Sequence, residues 1–410
     1  MKKIYLCIAA LYLGIATSHA QTKPETVKDT SNYEARKLQL DEINIISAYY
    51  HQDGNNSAVT GGIGTEKLTD FANTIDLHMF KYGNGNTKHS FLFELGVDHY
   101  TSASSDKIDP NTISSASMQD TRIYPSLNWT VSNEKTGRAF GLTASYSHEY
   151  DYQSFGGGVN YTWLSKNKNT QFDFKGMAFL DRWKVILPVE LRPPGYGSGS
   201  ERDERNGGGS VDYRPRNSFS MALSISQVIN TRLQALLIVE PSYQHGLLAT
   251  KYQRDYFTDG SERAENLPDD RYKLPIGIRF NYFLDDHFII RTFYRYYMDS
   301  WGIRAHTAEL EVPIKLTSFV SVSPYYRYNN QVGTRYFAPY GQHDPNAAFY
   351  TSDYDLSTLN SSFIGANIRL APPKGVFGWQ HFSALEIRAG HYTRSTGLTS
   401  NIVTLAMKFK

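Results

Sequence analysis

From Glu42 to the C-terminus the chain repeats one pattern. About sixteen segments of about 10–15 residues alternate apolar and polar side chains. Successive side chains of a strand point to opposite faces, so period two marks a strand with one apolar face and one wet face. Leu274, Ile276, Ile278, Phe280 and Tyr282 alternate with Lys273, Gly277, Arg279 and Asn281. Phe288, Ile290, Tyr294 and Tyr296 then oppose Arg291, Arg295 and Asp299. Ala308, Leu310, Val312, Ile314 and Leu316 oppose Glu309, Glu311 and Lys315.

A soluble β-sandwich alternates too. Three features point instead to a membrane. The segments exceed the usual soluble strand of about 5–6 residues and match the about 9–11 needed to span a bilayer. Aromatics gather near segment ends, as in Tyr325-Tyr326-Arg327-Tyr328. Connection lengths also sort by parity. The odd connections include every very long one, at 53–68, 101–117, 186–214, 247–270 and 330–356. The even ones are mostly short, as at 82–87, 165–169, 230–231 and 284–287. Outer-membrane barrels have short periplasmic turns and longer extracellular loops. The expected fold is an all-β, antiparallel, up-and-down transmembrane barrel of about sixteen strands, with both chain ends in the periplasm. Val403, Leu405, Met407 and Phe409 alternate to the end, leaving an aromatic beside Lys410 as a signal for the barrel-assembly machinery.

Composition agrees. Tyr 30, Phe 22 and Trp 5 supply residues suited to a boundary between apolar and wet phases. Lys+Arg 42 against Asp+Glu 40 argues against a nucleic-acid partner. A mean hydropathy of −0.46 excludes a helical membrane protein but not a barrel, in which only alternate residues meet lipid. The first residues read as a secretory leader. Lys2 and Lys3 precede an apolar run over 4–16, and Ser18-His19-Ala20 is a small-x-Ala cleavage site. The domain reading is a signal peptide at 1–20, a short polar periplasmic tail at 21–41 and an outer-membrane barrel over 42–410. Cys7 lies inside the leader, so the mature chain carries no cysteine for disulfides, thiolate metal sites or nucleophiles.

Charges on the face opposite the apolar stripe are Asp76, Glu94, Asp98, Arg122, Asp173, Lys175, Glu240, Arg279, Arg291, Arg295, Glu309, Glu311, Arg327, Arg369, Glu386 and Arg388. A charge facing lipid costs about 2–4 kcal/mol at the midplane, so these are expected to line the lumen. Arg291 and Arg295 precede Glu309 and Glu311 on the next strand, which predicts cross-strand pairs. Two roles are open: mutual neutralisation that stiffens the wall, or a transverse field that orients a polar solute.

Among loop candidates, Asp53, Asn55 and Ser57 begin like a calcium loop. The register then fails, because Ala58 stands where glycine is needed and Gly64 where glutamate is. His51, His99 and His148 sit near outer strand ends beside Asp53, Asp98 and Glu149, the raw material of a rim-site enzyme. Glu66 and Asp106 complete the loop set. No cofactor is expected.

The stretch Tyr49-Tyr50-His51-Gln52-Asp53-Gly54-Asn55-Asn56-Ser57, continuing to Glu66, resembles the opening of an uncharacterised family of Gram-negative outer-membrane barrels, a domain of unknown function. Glu94-Leu-Gly-Val-Asp98, continuing to Asp106, resembles its second block, and the residues at 349–356 a third. The resemblance covers most of the mature chain. It implies the cell outer membrane, surrounding lipid, and a gene near those of a small lipoprotein, a thioredoxin-like protein and a flavin transferase, an envelope redox or cofactor context. The expected function is a passive or gated channel for small polar solutes, not an enzyme. A scaffold or export conduit for a periplasmic or lipoprotein partner is the second reading, and a rim-site enzyme using His51 and Asp98 the third.

Overall fold

The computed structural model describes residues 37–83, 86–101, 119–192 and 213–410. The expected leader, the expected tail up to residue 36 and Asp106 lie outside the described residues. Among the described residues sixteen barrel strands follow in chain order, besides a two-stranded ribbon of Arg254–Tyr256 and Glu262–Ala264 within a loop. The barrel strands are β1 (Gln39–Asp53), β2 (Leu68–Tyr82), β3 (Thr87–Thr101), β4 (Gln119–Asn133), β5 (Arg138–His148), β6 (Tyr152–Leu164), β7 (Thr170–Lys184) and β8 (Tyr213–Val228). Then come β9 (Leu233–Val239 with Ser242–Gly246), β10 (Asp270–Phe283), β11 (Ile289–Asp299) and β12 (Arg304–Glu311 with Ile314–Lys315). The last four are β13 (Val320–Val332), β14 (Leu359–Leu370), β15 (Phe382–Arg394) and β16 (Thr399–Phe409). β1 starts three residues before the alternation at Glu42 suggested.

Two strands are interrupted by proline. Pro241 and Pro313 have no N–H to give the ladder, so each costs a hydrogen bond. Their carbonyls still accept, from Met221 N at 3.0 Å and from Ile289 N at 3.1 Å. Register runs straight through: Val239 and Ser242 face Leu223 and Ser220 without a bulge. Each pair of segments is therefore one strand.

Every strand pairs antiparallel with its chain neighbours, and β16 returns to β1 from Ile43↔Phe409 to Asp53↔Thr399. Closure removes the unpaired edges that would otherwise template aggregation. No helix among the described residues is long and apolar enough to cross a membrane, which says nothing of strands.

One face of every strand is apolar and open. Ile364, Leu180, Phe155, Phe140 and Ile368 are all at least half exposed, and many Leu, Val and aromatic side chains lie beside them. Such a band is an aggregation liability in water and the normal outer surface of a transmembrane barrel. The compact apolar cluster lies elsewhere, in Leu248, Ala249, Leu267 and Trp301 at the long-loop end.

The inner face has a recurrent device. A ring on one strand lies over a glycine of the next. Tyr124 covers Gly96, Phe179 covers Gly156, Phe293 covers Gly277 and Phe363 covers Gly390. A Cβ built at Gly96 or Gly390 would come within 2.0 Å of the covering ring. The glycines let these rings lie along the wall instead of filling the bore.

Candidate functional site: a charged lumen under a loop cap

The sixteen charged positions read as lumen-facing all lie opposite the exposed apolar side chains. Their pairing differs between the two halves of the wall. From β11 to β15 they form a ladder of ion pairs, across strands at Arg291–Glu311 (3.2 Å), Arg327–Glu309 (3.9 Å) and Arg369–Glu386 (3.1 Å), and along β15 at Arg388–Glu386 (3.0 Å). The expected pairing of Arg291 with Glu311 is present. Arg295 does not share it, because its register partner is Thr307. Arg279 and Arg327 lie 5.0 and 5.4 Å from the ring centroids of Phe293 and Phe363, which keeps both guanidiniums along the wall.

The β2–β3 wall is acidic. Asp76 faces Glu94 directly across the ladder, and Asp70 and Asp98 share the face. Asp98 accepts from the Tyr124 hydroxyl at 2.9 Å and sits opposite Arg122 in register. Among the described residues Asp76, Glu94, Arg279 and Arg295 make no ion pair. In a closed ring of sixteen, β2 and β3 stand eight strands from β10 and β11. Acids without an ion pair therefore stand across the ring from arginines without one, and those fields add instead of cancelling, while Lys175 of β7 also acts on Glu94.

The two ends of the bore differ. At the short-turn end a polar vestibule of about 990 Å³ opens, lined by Arg232, Asp286, Arg291, Lys315, Arg369 and Arg388 among others. At the long-loop end three loops interlock: 54–67, 247–269 and 333–358. The first two spring from opposite walls, eight strands apart. They meet where Arg254 Nη1 donates to the Val59 carbonyl at 2.8 Å. Arg254 is 4% exposed, also donates through Nη2 to Glu190 Oε2 at 3.1 Å, and has Glu262 at 3.5 Å. Asn266 and Tyr350 bridge the second loop to the third. On the near side Arg394 holds Asp355 and has Glu66 at 3.7 Å.

Burial moves the cap's acids. It pushes the Glu66 carboxyl up to about 7 despite Arg394. It pushes Glu265, which is 2% exposed, up to about 8, against hydrogen bonds from Thr351 and the Thr250 amide. Glu190 moves the other way, held down to about 2 by the Arg254 guanidinium.

The loop candidates do not converge. Asp53 pairs with Lys67 at 3.5 Å in the open. Asn55 is exposed, Ser57 is 1% exposed under the short 3-10 turn Ala58–Thr60, and Glu66 turns to Arg394. The rim histidines do not assemble the His51–Asp98 site that the rim-enzyme reading named. His51 hydrogen-bonds Thr69 and His99 hydrogen-bonds Thr121, and these share the outward faces of β1 to β4 with Tyr49, Phe71 and Leu127. His148 stacks on Tyr146 on the same outward face. Asp98 points inward, so His51 and Asp98 cannot act together, because each sits at the wrong parity for the other. The cap does hold a serine, a histidine and an acid. Ser352 Oγ and Asp255 Oδ1 approach the same nitrogen, His343 Nε2, at 3.0 and 3.5 Å. A nucleophile–base–orienter relay needs the two ring nitrogens separately. All three are at most 3% exposed, and Ser352 also donates to the Ala338 carbonyl, so this group ties the third loop to the second.

Three residues with central roles in the cap were not singled out by sequence: Arg254, Arg394 and Glu265. Arginine and glutamate in long polar loops read as solvated, and only the fold shows them buried.

The sequence model of the family "Protein of unknown function (DUF3570)" matches residues 86–377, more than half of the chain. No curated protein matches. Among solved structures, Pseudomonas aeruginosa OccK9 (OpdG) is similar at 9% identity, with 91% of this chain and 98% of that chain covered and a TM-score of 0.42. A BenF-like porin from Pseudomonas fluorescens Pf-5 is similar at 8% identity, with 90% and 98% covered and a TM-score of 0.42. Pseudomonas aeruginosa OccD3 (OpdP) is similar at 5% identity, with 92% and 95% covered and a TM-score of 0.43. The strand register, not these likenesses, defines the barrel.

Proposed function

The chain belongs to the DUF3570 family, and we propose that it is an outer-membrane channel for small polar solutes whose outer mouth is gated by its own loops. A closed barrel of about sixteen strands leaves an aqueous bore unless loops fill it. The observation that carries the reading is the meeting of two loops from opposite walls at Arg254 and Val59, above a lumen whose free charges divide by side. A wall needed only for stiffness would pair its charges locally throughout. Here the β11–β15 ladder does so, while Asp76, Glu94, Arg279 and Arg295 stay available to a solute.

The short-turn end is assigned to the periplasm and the loop cap to the outside, as in other outer-membrane barrels. The open vestibule favours a second role at that end, the docking of a periplasmic or lipoprotein partner. The test is conductance of the purified, folded chain in planar bilayers. The expected result is a discrete single-channel step with frequent closed periods. A folded sample that never conducts, even after the cap is cut by protease, sinks the channel reading.

A further inference from the structure

A hollow in the inner wall has no part in the cap. It measures about 330 Å³ and lies toward the long-loop end, between β3 and β8. Small-molecule sites run from about 300 Å³ upward. The sequence makes the room. Glu94, Ser126, Ser145, Gly156 and Phe179 are successive register partners across β3 to β7, and the three in the middle are small. Pro125 has no N–H for the ladder, so pairing of β4 with β5 lapses at Tyr124 and Pro125 while the register holds on both sides. The Phe179 ring lies over Gly156 and gives the hollow an apolar wall.

Its polar groups are not spent on one another. Among the described residues the hydroxyls of Ser126, Ser145 and Ser154, all lining the hollow, make no hydrogen bond. Asp181 also lines it, stands opposite Ser154 in register and is 6% exposed. Its Oδ2 accepts from the Tyr152 hydroxyl, while its Oδ1 has no partner among the described residues. A buried carboxylate oxygen without a donor is costly, and a carboxyl turns readily about its last bond, so a donor in the hollow can capture it. Charge, by contrast, is balanced locally. Lys175 acts on Glu94, Arg122 has Glu149 at 3.7 Å, and Arg216 faces Asp181 from β8 with its guanidinium 5.2 Å from the Trp183 ring centroid. No strong net field draws an ion in. What the hollow offers is hydroxyls that both donate and accept, beside a ring face that suits the C–H side of a sugar.

We propose that the hollow binds a neutral, polyhydroxylated solute of monosaccharide size, held by Ser126, Ser145, Ser154 and Asp181 against the Phe179 ring. This gives the channel reading a solute class, and it rests on that reading for the solute's route to the site. The probe is glucose, titrated into the folded full chain in a zwitterionic detergent without a sugar headgroup and followed by saturation-transfer NMR. The expected result is saturable transfer to the ring protons of the sugar. Glucosamine and glucuronate, its cationic and anionic relatives, should bind at least about fivefold more weakly. Ser145→Leu fills the hollow and should abolish binding. Asp181→Asn should weaken it about tenfold, the worth of one hydrogen bond to a charged group. Folding is checked by the heat-dependent gel shift of the barrel, and if Asp181→Asn fails to fold, Ser145→Leu carries the test. No saturable transfer, a charged relative that binds as tightly as glucose, or affinity unchanged in a folded variant overturns the assignment. Planar-bilayer conductance of the same sample separates the two readings. Conduction without glucose binding removes the site and leaves the channel; glucose binding without conduction removes the channel and leaves the site.

Discussion

Arg254 is the residue on which closure of the mouth turns. It is buried, reaches the Val59 carbonyl from across the bore and neutralises Glu190 and Glu262. Arg254→Gln leaves those carboxylates facing each other. Breaking a fully buried pair costs about 3–5 kcal/mol, but Glu190 is 38% exposed, so water recovers part of the loss. The expected cost to cap closure is about 2–3 kcal/mol, or roughly 30- to 150-fold faster amide exchange in 54–67 and 247–269. Unchanged exchange would mean that the loops stay closed without the arginine. Protonation acts on the same cap. Glu66 and Glu265 hold protons in the folded cap up to about 7 and about 8. Freed from the fold they would titrate near 4.3. Between these values the closed cap binds more protons than the open one, so closure weakens as pH rises through the window. Proteolysis of the loops should be slow at pH 5.5 and faster above pH 8. Glu265→Gln should flatten that profile, and a profile that steepens toward acid would reverse the sign and refute the assignment.

Strands were legible in the sequence because period two is a property of the backbone and survives without knowledge of partners. The faces of β10 to β14 follow directly from alternation at Leu274–Tyr282 and Val320–Tyr328. Two things were not legible. The contact between Val59 and Arg254 joins residues 195 positions apart in polar loops and leaves no periodic trace. The rings over glycines depend on register between strands. Gly390, for example, is covered by Phe363 diagonally from β14. That device makes its own prediction. Gly390→Val must push the Phe363 ring off the wall and into the bore, and overpacking of this kind typically costs about 1–3 kcal/mol. The variant should lose the heat-dependent gel shift at a lower temperature, while Gly157→Val, whose Cβ meets nothing within 4 Å, should behave as the parent chain does. Equal loss in both would show that bulk alone matters. The closing strand carries a related expectation. Phe409 stacks on Phe382 at 4.9 Å and meets Trp379 at 5.5 Å, where β16 returns toward β1. Phe409→Ala should lower the yield of folded barrel in cells more than it lowers the stability of barrel already formed, if the assembly machinery reads this aromatic.

Over the whole molecule, the channel reading makes the division of charge decide how ions cross. Acids stand on β2–β3 and unpaired arginines on β10–β11, half the ring away, while the β11–β15 ladder is largely self-neutralised. A permeating ion therefore meets a gradient across the bore more than a net charge along it. Removing one side should tip the balance. Asp76→Asn with Glu94→Gln leaves the arginines dominant and should shift the reversal potential in a salt gradient toward anion selectivity. Arg279→Gln with Arg295→Gln should shift it the opposite way. A charge about 4 Å from an ion in water is worth about 1 kcal/mol, so each double variant should change the permeability ratio by up to about fivefold. The measurement belongs near 0.1 M salt, where the screening length is about 10 Å; at 1 M it falls to about 3 Å and would hide the effect. Opposite shifts from the two walls place both sets of charges in the ion path. Shifts of the same sign, or from one wall only, would mean that the loops screen one side of the bore, and the transverse arrangement would then serve the fold and not the solute.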